Sequence, residues 1–338
     1  MNNPAIVFTA PRIAELLDAE IPQIKSNEVL VEIAISTISA GTERANFIGD
    51  PNINSTQAPG IKFPRSMGYS TSGTVVAVGD AVTALKVGDR VACSWTKHKK
   101  YCAVKESRAY LLPENVSLNE AALVHIATFP MAAIRKCRLE MGEPSIVMGL
   151  GVLGLLAVEL LRTAGAYPVI AVDPVEKKRA QALSLGADFA LDPFAPDFAA
   201  TVKRITGGGA KVAIEVTGKG QGLDMVLDCM ARFGRVALLG CTRSSDFSID
   251  YYRKVHGPGI TLIGAHTNAR PERDSRDGWW SERDDAQAIL GLLSGKRLDF
   301  ERLIEETHSP AEAPEIFTRL ANEPSFPIVQ FDWRNFTV

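Results

Sequence analysis

The chain has 338 residues, 46% of them hydrophobic, with 37 basic against 39 acidic side chains and a net charge of -2. That balance offers no basic face to a nucleic acid, and the run Lys97-His98-Lys99-Lys100 is too short to make one. The longest apolar window, Ile146 to Val158, is interrupted by three glycines and stops at Glu159, well short of the ~20 residues a membrane-spanning helix needs. The N-terminal stretch lacks a basic segment followed by an apolar core, so no secretory signal is read and a cytoplasmic location is expected. Five scattered cysteines without a CxxC pair fit reduced thiols there. The length allows two domains.

In chain order, the first 130 residues read mostly as strands and turns. Glu28 to Ser36 alternates apolar and polar residues as a half-buried strand does, and Thr71 to Val78 ahead of Gly79-Asp80 is another. The Pro-, Asn- and Gly-rich stretch Asp50 to Pro64 reads as loop, and Asp89 to Ser94 and Tyr101 to Lys105 as a further strand pair.

The stretch from Ser145 to Asp188 organises the rest. An apolar strand, Ser145 to Met148, leads into Gly149, Gly151 and Gly154 at GxGxxG spacing, and helical periodicity follows up to Gly165. Gly149 makes the turn, Gly151 lets backbone approach a pyrophosphate, and Gly154 lets the helix lie close on the strand. Val152 and Leu153 open the helix, whose free N-H groups and positive dipole end suit phosphate. The next strand, Tyr167 to Val172, ends in Asp173. A carboxylate there hydrogen-bonds ribose hydroxyls and repels a 2'-phosphate, so NAD is the expected cofactor rather than NADP. Lys177, Lys178 and Arg179 are expected on the solvated face of the following helix.

Further strands and helices then alternate: strands at Asp188 to Leu191, Lys211 to Val216, Arg235 to Leu239 and Gly259 to Gly264, helices at Phe198 to Ile205 and Leu223 to Met230. This predicts a doubly wound parallel sheet. Its ligand crevice lies at the carboxyl ends of the strands, which brings Thr217, Gly218, Gly240, Gly264 and His266 toward the nicotinamide half of the cofactor. Ser281 to Leu293 reads as a helix capped by Ser281 and stopped by Gly295.

The run GYSTSGTVVAVGDAVTALKVGDRVA at Gly68 to Ala92, ISAGTE at Ile38 to Glu43, the GLGVLG loop and the pattern from Leu292 to Leu320 together resemble the medium-chain dehydrogenase/reductase superfamily. Within it, the SAGTER opening and the C-terminal pattern are similar to the branch holding bacteriochlorophyllide-type and sugar or polyol dehydrogenases. The resemblance implies an α/β chain in three stretches: 1–130 as the N-terminal part of a GroES-like β-rich catalytic domain, 131–267 as a Rossmann NAD-binding domain, and 268–338 as the return to the catalytic domain. It also implies a homodimer or homotetramer acting on a small-molecule substrate.

Zinc-dependent members of the superfamily carry a CGxD-like motif, a GHE motif and a later ligand. This chain has Ala40, then Tyr69 and Ser70, at the first two, and His125 at the third. One imidazole does not make a catalytic zinc site, which needs three protein ligands, so no metal is expected. Cys93, His98 and Cys102 lack a fourth partner and a ribbon pattern, and read as chance spacing. By the same resemblance Thr42 stands at the proton-relay hydroxyl, Tyr69 and His125 at former ligand positions, and His98 at the rim of the cleft. Plainer roles are open: Tyr69 as a core aromatic and His125 as a buried histidine, while Glu43 either orients Tyr69 or His98 or forms a structural ion pair in the neighbourhood of Arg44.

The expectation is therefore a zinc-independent, NAD-dependent alcohol dehydrogenase acting on a secondary hydroxyl of a sugar, polyol or cyclitol. The polar segment His266 to Trp280 supplies hydrogen bonds to hydroxyls, or docks domains through Trp279 and Trp280. Two rival readings stay open: an NAD(P)H-dependent quinone or enone reductase, and a non-catalytic NAD-binding protein.

Overall fold

A computed structural model describes residues 3–53 and 61–336. The expected loop at 50–64 is free of helix and strand where described, and its middle, 54–60, lies outside the described residues. The chain divides into two compact units, one of Met1–Ile126 with Ala286–Val338, the other of Ala127–Asp285.

The first unit begins with an antiparallel hairpin, β1 (Asn3–Ala10) and β2 (Ile13–Ala19). Then come β3 (Glu28–Thr37), helix α1 (Ala40–Ile48), the short β4 (Arg65–Ser66) paired with β1, and β5 (Ser70–Val78). β6 (Arg90–Ser94), β7 (Tyr101–Lys105), β8 (Ala109–Leu111) and the short helix α2 (Leu118–Ala121) complete its N-terminal part. β3 alternates over its first half, where β7 and β5 flank it, and is wholly buried over its second, where the last strand of the chain and β5 flank it. The motif Ser39-Ala40-Gly41-Thr42-Glu43, read within a region of strands and turns, instead opens α1.

Helix α3 (Val124–Lys136) carries the chain into the second unit. There β9 (Ser145–Met148), α4 (Val152–Thr163), β10 (Val169–Val172), α5 (Glu176–Ser184), β11 (Phe189–Leu191) and α6 (Phe198–Thr206) alternate. β12 (Ala210–Glu215), α7 (Gly220–Asp228), β13 (Met230–Leu238) and β14 (Thr261–Gly264) follow. All six strands are parallel, in the order β11-β10-β9-β12-β13-β14. The order reverses beside β9, which opens a crevice beyond the carboxyl ends of β9 and β12.

Helix α8 (Glu282–Ser294) leads back to the first unit, where β15 (Glu306–His308), α9 (Ala313–Asn322) and β16 (Val329–Asp332) close its sheet against β3. Phe8, Phe47 and Phe317 meet edge to face or tilted in its core, with centroids 4.8 to 5.8 Å apart. The segment 268–285, expected with the catalytic domain, clusters with the second unit. Its anchors are physical: the Arg135 guanidinium lies 3.5 Å from the Trp280 ring centre, and Arg135 Nε donates to Asp285 Oδ1 at 2.7 Å.

In the glycine loop, Gly149 has φ +98°, and a Cβ on Gly154 would stand 1.9 Å from the Gly149 carbonyl oxygen. Neither backbone can yield without pulling α4 off β9. Gly154→Ala is expected to lower stability by about 1–3 kcal/mol, the ordinary scale of an overpacked core. Urea melts read the change, and a variant as stable as the parent would show that the helix stands further from the strand.

Candidate active site

The second unit places the predicted cofactor residues around one end of its sheet. Gly151 is the N-cap of α4 and exposed, and a Cβ built on it meets nothing within 4 Å, so the backbone at the helix start is open to a ligand. Val152 and Leu153 form the first turn behind it. Asp173, at the end of β10, accepts the Leu150 N-H through Oδ2 and the Val175 N-H through Oδ1, both at 2.9 Å. The carboxylate expected to meet ribose therefore also ties down the glycine loop. Its neighbours depart from the expected solvated face: Lys178 is buried, and Arg179 donates to the Asp173 and Pro174 carbonyls. Alignment of α5 on the sheet, not its charge run, decides which of these cations reaches water.

Beyond β12, Thr217 and Gly218 are held by Glu215, a buried carboxylate that accepts from the Thr217 N-H at 2.8 Å, the Thr217 hydroxyl and the Gly218 N-H. Burial pushes the Glu215 carboxyl up, against the pull of those donors. Gly218 has φ +62°, and a Cβ on Gly240 would stand 2.4 Å from the Gly218 nitrogen, so the loops after β12 and β13 touch backbone to backbone. Gly264 ends β14, and exposed His266 accepts the Asn268 N-H through Nδ1. Burial, then the charges of Arg243 and Lys136, hold the His266 imidazole below its ordinary range. Lys136, which sequence reasoning missed, is buried, donates to the Gly264 carbonyl at 3.1 Å and lies 4.8 Å from the Trp279 ring centre. A cation after the apolar run of α3 was its only signal.

The first unit gathers the proton-bearing candidates. Tyr69, just ahead of β5, donates its hydroxyl to Ser39 Oγ at the start of α1, and Thr42 lies one turn along that helix. His125 is buried, and its ring meets Tyr69 edge-on at 5.6 Å and Trp95 at 4.9 Å between centroids. Trp95 is 39% exposed and holds φ +60°, a strained conformation for a bulky side chain, with its N-H donating to the Tyr69 carbonyl. Neither Ser39 nor Trp95 stood out in the sequence, since a serine before a helix and an aromatic after a strand are both commonplace.

His98, expected at a cleft rim, is instead fully buried. Its Nε2 lies 2.9 Å from Glu43 Oε2 and its Nδ1 lies 2.8 Å from Ser36 Oγ, so both ring nitrogens are committed inside the sheet. Glu43 is thus a partner of His98 and does not pair near Arg44, which donates to the Ala321 carbonyl.

The former ligand positions do not make a zinc site. Ala40 has no donor atom, Tyr69 is bonded to Ser39, and the Ser70 hydroxyl donates to the Ala122 carbonyl at 2.6 Å. Only the His125 imidazole has ligand chemistry, and a catalytic site takes three protein ligands. Among the described residues no group of three or more His, Cys, Asp or Glu is placed to hold a metal ion, and no helix is long and apolar enough to cross a membrane.

Comparison with known proteins bears on this geometry. Residues 25–130 match the family described as alcohol dehydrogenase GroES-like domain, and residues 152–277 the family described as zinc-binding dehydrogenase. The D-guloside 3-dehydrogenase of Escherichia coli K12 is 28% identical, over 94% of this chain and 96% of that one. The L-threonine 3-dehydrogenase of Pyrococcus furiosus is 28% identical, over 77% and 82% respectively. Two crystal structures share the fold over 98% of this chain and 99% of theirs: an oxidoreductase/dehydrogenase of unknown specificity from Escherichia coli, with TM-score 0.84 at 21% identity, and 2R,3R-butanediol dehydrogenase from Bacillus subtilis, with TM-score 0.80 at 23%.

Lys136 gives a pH signature. Burial, then Arg270, brings its ammonium down from 10.5 to about 8. Because the folded value lies below the unfolded one, the unfolded chain binds more protons between those limits, so Lys136 costs stability in full below pH 8 and the cost fades as pH rises toward 10.5. Lys136→Met is expected to gain more over the parent below pH 8 than near about pH 9.5. Urea melts at the two pH values measure the difference, and an equal gain at both would contradict the assignment.

Proposed function

The chain belongs to the medium-chain dehydrogenase/reductase superfamily, and on that footing we propose that it is an NAD(H)-dependent alcohol dehydrogenase that works without zinc. Its substrate in this reading is a secondary hydroxyl on a sugar, polyol or cyclitol, converted reversibly to a ketone, by a cytoplasmic dimer or tetramer. The observation that carries the reading is the replacement of the metal-ligand set by a tyrosine hydroxyl held on Ser39 beside His125.

Bound NAD supplies the acceptor for the hydride that leaves the carbinol carbon. The second unit binds it: the open backbone at Gly151 and the start of α4 takes the pyrophosphate, Asp173 takes the ribose hydroxyls, and the loops at Thr217, Gly218, Gly240, Gly264 and His266 border the other half. The first unit handles the proton. Tyr69, whose one proton goes to Ser39, accepts the hydrogen bond of the reacting hydroxyl and orients it; as the hydride leaves, His125 takes up that hydroxyl proton, and Thr42 is the relay hydroxyl toward water. Trp95, strained and part-exposed beside this pair, offers an apolar face of the kind that carbohydrate rings stack on. Support for the substrate class comes from relatives named for D-gulosides and for butanediol.

A panel of polyols, cyclitols, glycosides and simple secondary alcohols, incubated with NAD, is expected to give NADH with at least one hydroxylated ring or chain. Silence across it with NADH still binding would favour the enone-reductase or non-catalytic readings. With the best substrate, Tyr69→Phe and His125→Ala should each lower kcat by at least ~10²-fold, the usual scale for an acid-base group, at unchanged NAD affinity. Full activity in both would sink the site assignment. Asp173→Ala should raise the KM for NAD by about ten- to a hundredfold and narrow its advantage over NADP, since one lost charge-assisted bond is worth ~1.5–3 kcal/mol. A variant that prefers NAD as strongly as the parent would contradict the role of Asp173.

A further inference from the structure

Ser39 is the N-cap of α1, and a serine there ordinarily accepts an N-H of the first turn. Its side chain makes no such bond; the hydroxyl receives Tyr69 instead. Glu43 does not take over that bond: its Oε1 accepts the N-H of Ser39 itself at 2.9 Å, while Oε2 faces His98 Nε2. Beyond His98 the chain of bonds runs to Ser36 and to Trp333 Nε1, which donates to Ser36 Oγ at 2.9 Å. Donors and acceptors balance when Trp333 donates to Ser36, Ser36 to His98 Nδ1, and His98 Nε2-H to Glu43. Ser36, Glu43, His98 and Trp333 have no exposed surface, and Ser39 has 5%. Gly68, next to Tyr69, allows the approach: at φ +94° a Cβ there would stand 2.6 Å from the His98 backbone nitrogen and 2.9 Å from its ring.

Since Glu43 reaches the Ser39 N-H and no N-H of the first turn, capping of α1 does not account for the buried carboxylate. We propose that the buried Glu43–His98 pair is a positioning device for Tyr69, fixing Ser39 so that its hydroxyl holds the phenol in one orientation. The pair touches no reacting atom; it acts through Ser39. The proposal rests on the reading of Tyr69 as the group that hydrogen-bonds the reacting oxygen.

Epistasis tests it on the full chain, with the alcohol that turns over fastest in the panel. Ser39→Ala, which leaves Glu43 and His98 paired, should lower kcat by about tenfold or more, and Glu43→Ala likewise, with NADH affinity within about twofold of the parent. Glu43→Gln, which keeps an acceptor for the Ser39 N-H and a polar contact to His98, should recover most of the loss. In a Tyr69→Phe background neither alanine variant should cost anything further, because the group being positioned is gone. The same fold-loss in both backgrounds would mark the pair as merely structural and overturn the proposal, as would full turnover in Ser39→Ala. Should Glu43→Ala fail to fold, the Ser39→Ala arm decides alone. If Tyr69→Phe itself turns over like the parent, the acid-base reading falls and takes this proposal with it; if Tyr69→Phe is slow while Ser39→Ala and Glu43→Ala are fast, only the positioning role is overturned.

Discussion

A carboxylate without exposed surface has to be surrounded by donors, because removing the charge from water costs several kcal/mol that only hydrogen bonds and opposite charge offset. Glu43 meets that demand with the backbone of Ser39 and the ring of His98, and His98 with Ser36 and, through it, Trp333. The constraint joins β3, the start of α1, the segment between β6 and β7, and the end of the chain just past β16. It makes one rigid block of the elements that carry Ser39 and, through Gly68, Tyr69.

The nucleotide-binding unit solves its own version of the problem. Strand-end carboxylates at Asp173 and Glu215 accept backbone N-H groups from the loops that border the ligand crevice. Each fixes a loop that has no regular structure to hold it. Backbone-to-backbone contacts at Gly149 and Gly154, and at Gly218 and Gly240, then set loop positions to within the width of a methyl group. The backbone at Gly151 is left open, and open backbone at a helix start is what a dinucleotide pyrophosphate requires.

What was legible in the sequence follows from range of interaction. The parallel sheet, its glycine loop and the acid after β10 were readable because each is a local pattern: a period, a turn residue, a strand end. The insertion of one unit within the other was readable only through family resemblance, since β16 reaches β3 across most of the chain length. Burial of His98 was not readable, because a histidine flanked by lysines looks solvated until β1, β3 and β16 pack against it; Lys99 and Lys100 keep their own contacts with β1 and with the Trp333 carbonyl. The segment 268–285, assigned by resemblance alone, clusters with the second unit, where its tryptophans are anchored by cations of α3. Lys136 and Ser39 escaped notice because their importance lies in partners distant along the chain: Gly264, 128 residues from Lys136, and Tyr69, 30 residues from Ser39.

The central claim is that side chains, and no Lewis acid, manage the proton. The most direct test is to follow turnover against bound zinc in one preparation, by elemental analysis of protein dialysed against chelator and then titrated with zinc. The account predicts full activity at a zinc content far below one ion per chain and no gain on adding zinc. Activity that disappears with the metal and returns in proportion to its binding would contradict it.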